Sequence, residues 1–172
     1  MAQIAGNSTD RDRHPVDFYP TPESATLALL HCVQLSHDVW EPACGKLDIS
    51  RVLEANGHTV KSTDIVFGTD FFDCHYEVSC DIVTNPPFSM GLKFVEHALK
   101  LTSGRVCMLL PIGFMTSASR NHLMTSGRLE KAIVLAKRLK IETHYGKVSS
   151  QFNHVWYIFN KSHTGPAILE FA

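Results

Sequence analysis

The sequence predicts an α/β fold, a mostly parallel central sheet covered by helices on both faces, and three observations predict it. Strand and helix signals alternate along most of the 172 residues, as they do in βαβ units. Arg105 to Ile112 is strongly apolar and reads as a central strand buried on both faces. Hydrophobic residues make up 44% of the chain and charged residues 19%, which suffices for a core and argues against disorder. No repeat, low-complexity stretch or Pro/Gly/Ser linker divides it.

The elements follow in order. Residues 1–16 are polar and read as an N-terminal arm, and residues 17–172 as a single domain. Thr21-Pro22-Glu23 is a helix start, with Thr21 as N-cap and Pro22 as first helical residue. Ala25, Ala28, Leu29, Cys32 and Val33 then fall on one buried helical face. Val39 to Cys44 is a short strand ended by Gly45. Residues 48–56 are helical, with Ile49, Val52 and Leu53 inward and Gly57 as the stop. His58 to Ile65 and Cys80 to Thr84 are strands. Ser89 can cap a helix carrying Leu92, Val95, Ala98 and Leu99. Residues 117–126 read as helix. Over 128–140 two readings stay open: a helix through Leu129, Ala132, Ile133, Ala136 and Leu139, or a buried strand over Ala132 to Leu135. His154 to Asn160 is the strongest strand of the C-terminal part.

Composition excludes several classes. No apolar run approaches the ~18 residues that span a bilayer, and Asp10 to Arg13 are incompatible with a secretory apolar core, so the expectation is a cytoplasmic protein without membrane contact. Five cysteines without a C-x-x-C pair give no support to a disulfide framework or a zinc site, and the ten histidines show no ligand spacing, so no metal is expected. There is no phosphate-binding G-x-x-x-x-G-K-[ST] loop. The net charge of −1 hides an asymmetry: residues 1–90 hold 5 Lys/Arg against 13 Asp/Glu, residues 91–172 hold 11 against 4. Arg120, Arg128, Lys131, Lys137, Arg138, Lys140 and Lys147 concentrate the cations. They suit a nucleic-acid face, or simply the solvated side of a helix over 128–140.

Three short signals sit just after predicted strands, where open α/β sheets bind ligands. They are Glu41-Pro42-Ala43-Cys44-Gly45, then Asp64 with Asp70-Phe71-Phe72, then Asn85-Pro86-Pro87-Phe88. Each alone reads as an ordinary turn or cap. Their order and spacing of about 20 residues, together with Asp17-Phe18-Tyr19-Pro20-Thr21-Pro22, resemble the S-adenosylmethionine-dependent amino-methyltransferases. Among these, the N6-adenine DNA methyltransferases are the nearest in pattern.

The resemblance runs from about Asp17 to Phe159 and implies a Rossmann-like class I methyltransferase fold with S-adenosyl-L-methionine as cofactor. On it, Phe18 and Thr21 flank the methionine end, Tyr19 belongs to the same cofactor-binding motif, and Glu41, Pro42, Ala43 and Gly45 form the first-strand turn beside it. Asp64 holds the ribose hydroxyls with Ile65 next to it, and Asp70 and Phe71 meet the adenine ring. Asn85, Pro86, Pro87 and Phe88 form the catalytic tetrapeptide, with Asn85 also touching the cofactor. The chemistry agrees. An exocyclic amine is a poor nucleophile because its lone pair is delocalised, and the Asn85 amide oxygen with the Pro86 carbonyl can accept its two N–H bonds. Pro87 offers no competing N–H, and Phe88 offers a face for a flipped base.

Two departures stand out. Lys46-Leu47 follows Gly45 where the family continues with a second glycine, which implies a crowded or altered turn. Little length remains for a target-recognition region, so either a few loops suffice, specificity is low, or a partner or homo-oligomer supplies it. The expected function is N6-adenine methylation of DNA. The alternatives are an RNA base or protein amide acceptor, or a catalytically silent cofactor-binding module.

Overall fold

The computed structural model describes residues 20–136, 138, 140–143, 146–149 and 153–172; Phe18, Tyr19 and the expected arm lie outside them. Among the described residues the elements follow one another as α1 Glu23–Cys32, β1 Asp38–Glu41, α2 Asp48–Ala55, β2 Thr59–Ser62, β3 Asp81–Thr84, α3 Gly91–Leu101, β4 Arg105–Pro111, α4 Asn121–Met124, β5 Leu129–Val134, β6 Lys140–Thr143, β7 Gly146–Ser149, β8 His154–Asn160 and β9 Ile168–Phe171. Seven strands form one sheet in the order β2-β1-β3-β4-β8-β5-β9, and β6 and β7 pair antiparallel in a separate two-stranded sheet. β1 runs parallel to β2 and β3, and β3 to β4; β8 inserts antiparallel between β4 and β5. Among the described residues no helix is long and apolar enough to cross a membrane.

The two-residue strand period divides the core between the faces. Val106, Met108 and Leu110 of β4, and Val155, Tyr157 and Phe159 of β8, join Phe94, Val95 and Ala98 of α3. Cys107 and Leu109, and Trp156 and Ile158, pack instead with Leu29 of α1 and Ile49 and Leu53 of α2. The buried Trp156 indole donates from Nε1 to the Ala25 carbonyl at 2.7 Å, so its polar atom is satisfied within the α1 face.

The same division settles residues 128–140. Leu129, Ala132 and Val134 belong to the α3 side, whereas Ile133 and Leu135 belong to the α1 side. A helix would gather these residues on one stripe, and a strand separates them, so β5 forms, with a register shift between Leu129 and Lys131. Arg138 and Lys140 therefore do not decorate a helix, and Lys137 lies outside the described residues. Lys131 donates to the Cys32 carbonyl and pairs with Glu170 at 2.7 Å, so its ammonium is engaged within the fold.

Two caps and one helix differ from expectation. Pro22 occupies the N-cap position of α1 and no side chain caps that helix, because the Thr21 hydroxyl is engaged elsewhere. Ser89 caps nothing: residues 88–90 form a 3₁₀ turn closed by Met90 N–H on the Pro87 carbonyl at 2.9 Å, and α3 begins only at Gly91. Residues 117–126 hold a short 3₁₀ turn and the four-residue α4.

From β1 the chain steps outward to β2, then crosses back to β3 and steps the other way to β4. The carboxyl ends of β1 and β3 are thus the topological switch point, where crevices open in such sheets. At the opposite edge, Asp81 fixes the register. Its carboxylate accepts the Ser36 N–H at 2.7 Å and the Arg105 N–H at 2.6 Å, and its own N–H donates to Ser36 Oγ at 2.9 Å. Asp81→Ala would strand two poorly hydrated N–H groups, so urea unfolding should show a loss of about 3 kcal/mol. A loss under ~0.5 kcal/mol would show that Asp81 does not hold this edge.

Candidate active site

β1 ends at Glu41, whose carboxylate is buried and accepts both the N–H of Ser50, at 2.8 Å, and the Ser50 hydroxyl in a short bond. Ser50 lies in the first turn of α2, where backbone N–H groups lack helical partners, so the strand-end acid caps the next helix. Ser50 Oγ also meets Ser62 Oγ at the end of β2, at 2.6 Å. Glu41 thereby ties three elements together.

The intervening turn is shaped by backbone. Cys44 N–H donates to the Thr63 carbonyl at 3.0 Å and Leu47 N–H to the Cys44 carbonyl at 2.7 Å. Gly45 has φ +48° and Leu47 φ +66°. Leu47 is the one non-glycine residue in the left-handed region among the described residues. The missing second glycine therefore leaves the backbone in a glycine-like conformation at a strain of ~1–2 kcal/mol. The Leu47 side chain does not line the adjoining cleft, so it does not crowd it.

Asp64 follows β2 and joins two turns. Its Oδ2 accepts the Gly45 N–H at 2.8 Å and its Oδ1 accepts the Val66 N–H at 3.0 Å. Asp70 caps the next turn through the Phe72 N–H at 2.9 Å. His97 of α3 braces that turn: Nε2 lies 3.1 Å from the Phe71 carbonyl and 3.0 Å from the Cys74 carbonyl, so this nitrogen carries the ring proton. After β3, Asn85 donates from Nδ2 to the Thr21 hydroxyl oxygen at 3.0 Å.

These turns enclose one cleft of about 510 Å³, within the usual size for a cofactor site. Thr21, Glu41 to Gly45, Asp64, Ile65, Asp70, Phe71, Asn85 and Pro87 all border it. Pro86 and Phe88 do not. Pro86 is buried, and the Phe88 ring packs against that of His154, 5.5 Å between centroids. Phe71 is 2% exposed, its ring stacked on Phe94 and edge-on to Trp40, so Phe72 is the more available aromatic of the pair.

Sequence reasoning missed Phe72, Met90 and Phe94 of the wall, and Val66 and Phe67 of the rim. Ile65, Val66 and Phe67 are each about two-thirds exposed, an unusual place for an apolar triplet. The signal was available in the triplet's position between Asp64 and Gly68, beyond the strand. The wall carries Asp48, Asp64 and Asp70 beside Glu41, whose buried carboxyl favours its proton, and Lys46 is its only basic residue among those described. Such a cleft suits a cationic ligand with an apolar ring system. Burial above all, then Glu41 and Asp64, push the Cys44 thiol up to about 11, so it is no thiolate nucleophile at neutral pH.

By sequence the chain matches no family profile and no curated protein. Its structure is similar to solved methyltransferase structures, three of them as follows. A protein assigned as an RNA methyltransferase from Pyrococcus horikoshii superposes with TM-score 0.66 at 14% identity, covering 88% of this chain and 90% of that one. The methyltransferase subunit of a type I restriction-modification system from Streptococcus thermophilus gives 0.58 at 12% identity, covering 87% of this chain but 45% of that one. A protein assigned to the class I S-adenosylmethionine-dependent methyltransferases, from Listeria monocytogenes, gives 0.56 at 14%, covering 88% and 65%. The fold is that of the class I S-adenosylmethionine-dependent methyltransferases.

Glu41 makes the stability of this edge pH-dependent. Burial raises its carboxyl to about 8 from an ordinary 4.5, against the opposing hydrogen bonds of Ser50, with Asp48 and Asp64 adding to the rise. A group whose folded pKa exceeds its unfolded one holds its proton longer in the fold. Its contribution to stability therefore falls as pH rises from about 4.5 to about 8, by up to ~5 kcal/mol, and is level above that. Urea unfolding from pH 5 to 8.5 should show a decline for wild type that Glu41→Gln flattens. Parallel curves for the two proteins would remove Glu41 as its source.

Proposed function

We propose that this protein is an S-adenosylmethionine-dependent amino-methyltransferase acting on the exocyclic N6 amine of adenine in DNA. The observation that carries the reading is the meeting of the Asn85-Pro86-Pro87-Phe88 turn with the Glu41–Gly45 and Asp64 turns at one cleft of a methyltransferase fold.

The donor set fits the cofactor. Its sulfonium and ammonium charges suit a wall rich in carboxylates, and its adenine suits the exposed apolar rim at Ile65, Val66 and Phe67 and the ring of Phe72. Asp64 accepts two backbone N–H groups, and a carboxylate has about four acceptor sites, so capacity remains for ribose hydroxyls. When bound, the cofactor supplies an electrophilic methyl group: the S–CH₃ bond breaks with its electron pair left on sulfur, an N–CH₃ bond forms, and the amine's proton leaves to water. The chain's part is positioning and hydrogen bonding. Asn85 Oδ1 and the Pro86 carbonyl accept the two amine N–H bonds, which draws the nitrogen toward tetrahedral geometry and aims its lone pair at the methyl group. Pro87 has no N–H to compete.

The likeness to a type I restriction-modification subunit favours DNA, and the Pyrococcus protein keeps an RNA base as the second reading. Arg120 lies in the segment after β4, on the carboxyl edge beside β3, but its guanidinium is engaged by Phe114, over the ring at 4.6 Å and donating to the carbonyl at 3.4 Å. Arg138, exposed, follows β5 at the same edge; the side chains of Lys137, Lys140 and Lys147 lie outside the described residues. A partner subunit or second copy would supply whatever sequence specificity these loops lack.

Two variants separate cofactor from acceptor functions. Asn85→Ala should abolish methyl transfer while calorimetric affinity for S-adenosylmethionine stays within a few-fold. Asp64→Ala should weaken that affinity by roughly 10- to 150-fold, through loss of charge-assisted hydrogen bonds. Near-normal turnover in the first variant would refute the role given to the tetrapeptide, and unchanged affinity in the second would remove Asp64 from the cofactor site.

A further inference from the structure

Asp70, Phe71 and Phe72 border the cleft from a 3₁₀ turn over Phe71–Asp73. Local hydrogen bonds set the shape of that turn. Phe72 N–H donates to Asp70 Oδ1 at 2.9 Å, and Cys74 N–H to the Phe71 carbonyl at 3.2 Å. Its place in the fold is set from α3. His97 Nε2 lies 3.1 Å from the Phe71 carbonyl oxygen and 3.0 Å from that of Cys74, 26 and 23 residues away in sequence. Both partners are carbonyl oxygens, which only accept, so the direction of the bonds is fixed: Nε2 carries a proton and shares it between them.

We propose that His97 is a positioning residue for Phe72, fixing that ring as the nucleobase side of the cleft. The inference rests on the cofactor assigned above and deepens it.

A single peptide unit carries the argument. The Phe71 carbonyl and the Phe72 N–H belong to one planar group and point in opposite directions. His97 holds the first and Asp70 the second, so the plane cannot turn without breaking both bonds. Its orientation sets φ of Phe72, and with it the direction in which the side chain leaves the backbone. The ring is then gripped by the same helix. Phe94 and His97 stand three residues apart on one face of α3. The Phe72 ring meets that of Phe94 edge-on at 5.1 Å and that of His97 at 5.4 Å. Phe71 is committed to the core, whereas Phe72 is half-buried and borders the cleft. His97 does not border it, so it acts on a ligand through the turn. An apolar side chain of similar size would fill the same space and take this donor from both carbonyls. Because α3 begins three residues after Phe88, the brace places the aromatic wall relative to the Asn85–Phe88 turn.

The test compares wild type, His97→Leu, His97→Gln, Phe72→Ala and the double variant, each as the full chain, by calorimetry with S-adenosylmethionine and with adenosine. His97→Leu should weaken both ligands equally, by roughly 5- to 30-fold, as loss of one or two hydrogen bonds does. His97→Gln, whose amide offers two N–H donors at about the reach of Nε2, should return affinity to within about three-fold of wild type. In the Phe72→Ala background, His97→Leu should cost no more than about two-fold, because the ring through which it acts is gone. An equal cost in both backgrounds would show a general structural role and overturn the proposal. So would a loss for S-adenosylmethionine that adenosine does not share. Nitrogen NMR of ligand-free wild type should find the Nε2 proton of His97 in place and protected from exchange, and a bare Nε2 would overturn the proposal whatever the variants do. Failure of wild type to bind either ligand, with that proton in place, would instead overturn the cofactor assigned to the cleft, and with it the use made of this brace.

Discussion

The hydrogen bond from the Gly45 N–H to the Asp64 carboxylate is the contact on which the cleft's shape depends. It joins the turn after β1 to the turn after β2, two segments that share no regular structure beyond the strands. Asp64 accepts Val66 N–H with its other oxygen, so one carboxylate sets the direction of both turns and the stance of the apolar rim. Glu41 and Asp70 repeat the device on Ser50 and Phe72. Backbone N–H groups in sharp turns need acceptors, and carboxylates are the strongest available. The acidity of the cleft is therefore first a structural requirement, and a site for a cationic ligand is what that requirement leaves behind.

This origin explains two features that otherwise look like defects. Leu47 keeps a positive φ because the turn's hydrogen bonds, Leu47 N–H to Cys44 on one side and Arg51 N–H to the Leu47 carbonyl on the other, determine the backbone regardless of side chain. Strain of this kind persists where the surroundings over-determine the conformation. Glu41 is held so far from water that its carboxyl favours the proton, and the four bonds that converge on Glu41, Ser50 and Ser62 keep three elements in register around it.

Strand positions were legible in the sequence wherever apolar runs were strong, as at Arg105 to Ile112 and His154 to Asn160, because burial on both faces leaves little choice of residue. β9 was not legible: Ile168, Leu169 and Phe171 are more than half exposed on an edge, so they carry no burial pattern. Residues 128–140 were ambiguous because a strand buried on both faces and a helix use the same residue types. Only the partition of Ala132 and Ile133 between opposite faces decides it. Of the cleft, the three turns were readable from their motifs, whereas Phe94 and Met90 reach the wall through packing between α3 and the sheet, which no short motif records. The Thr21 cap failed for a related reason: a contact 64 residues away outbid the local one.

What the cleft does to a nucleic acid decides between these readings. The most direct test incubates the purified chain with S-adenosylmethionine carrying a labelled methyl group, and separately with duplex DNA, RNA and a protein lysate, followed by nucleoside and amino-acid analysis of each acceptor. The account predicts label in DNA, recovered as N6-methyladenine. Label recovered solely in RNA, in a protein amide, or in no acceptor despite measurable cofactor binding would contradict it.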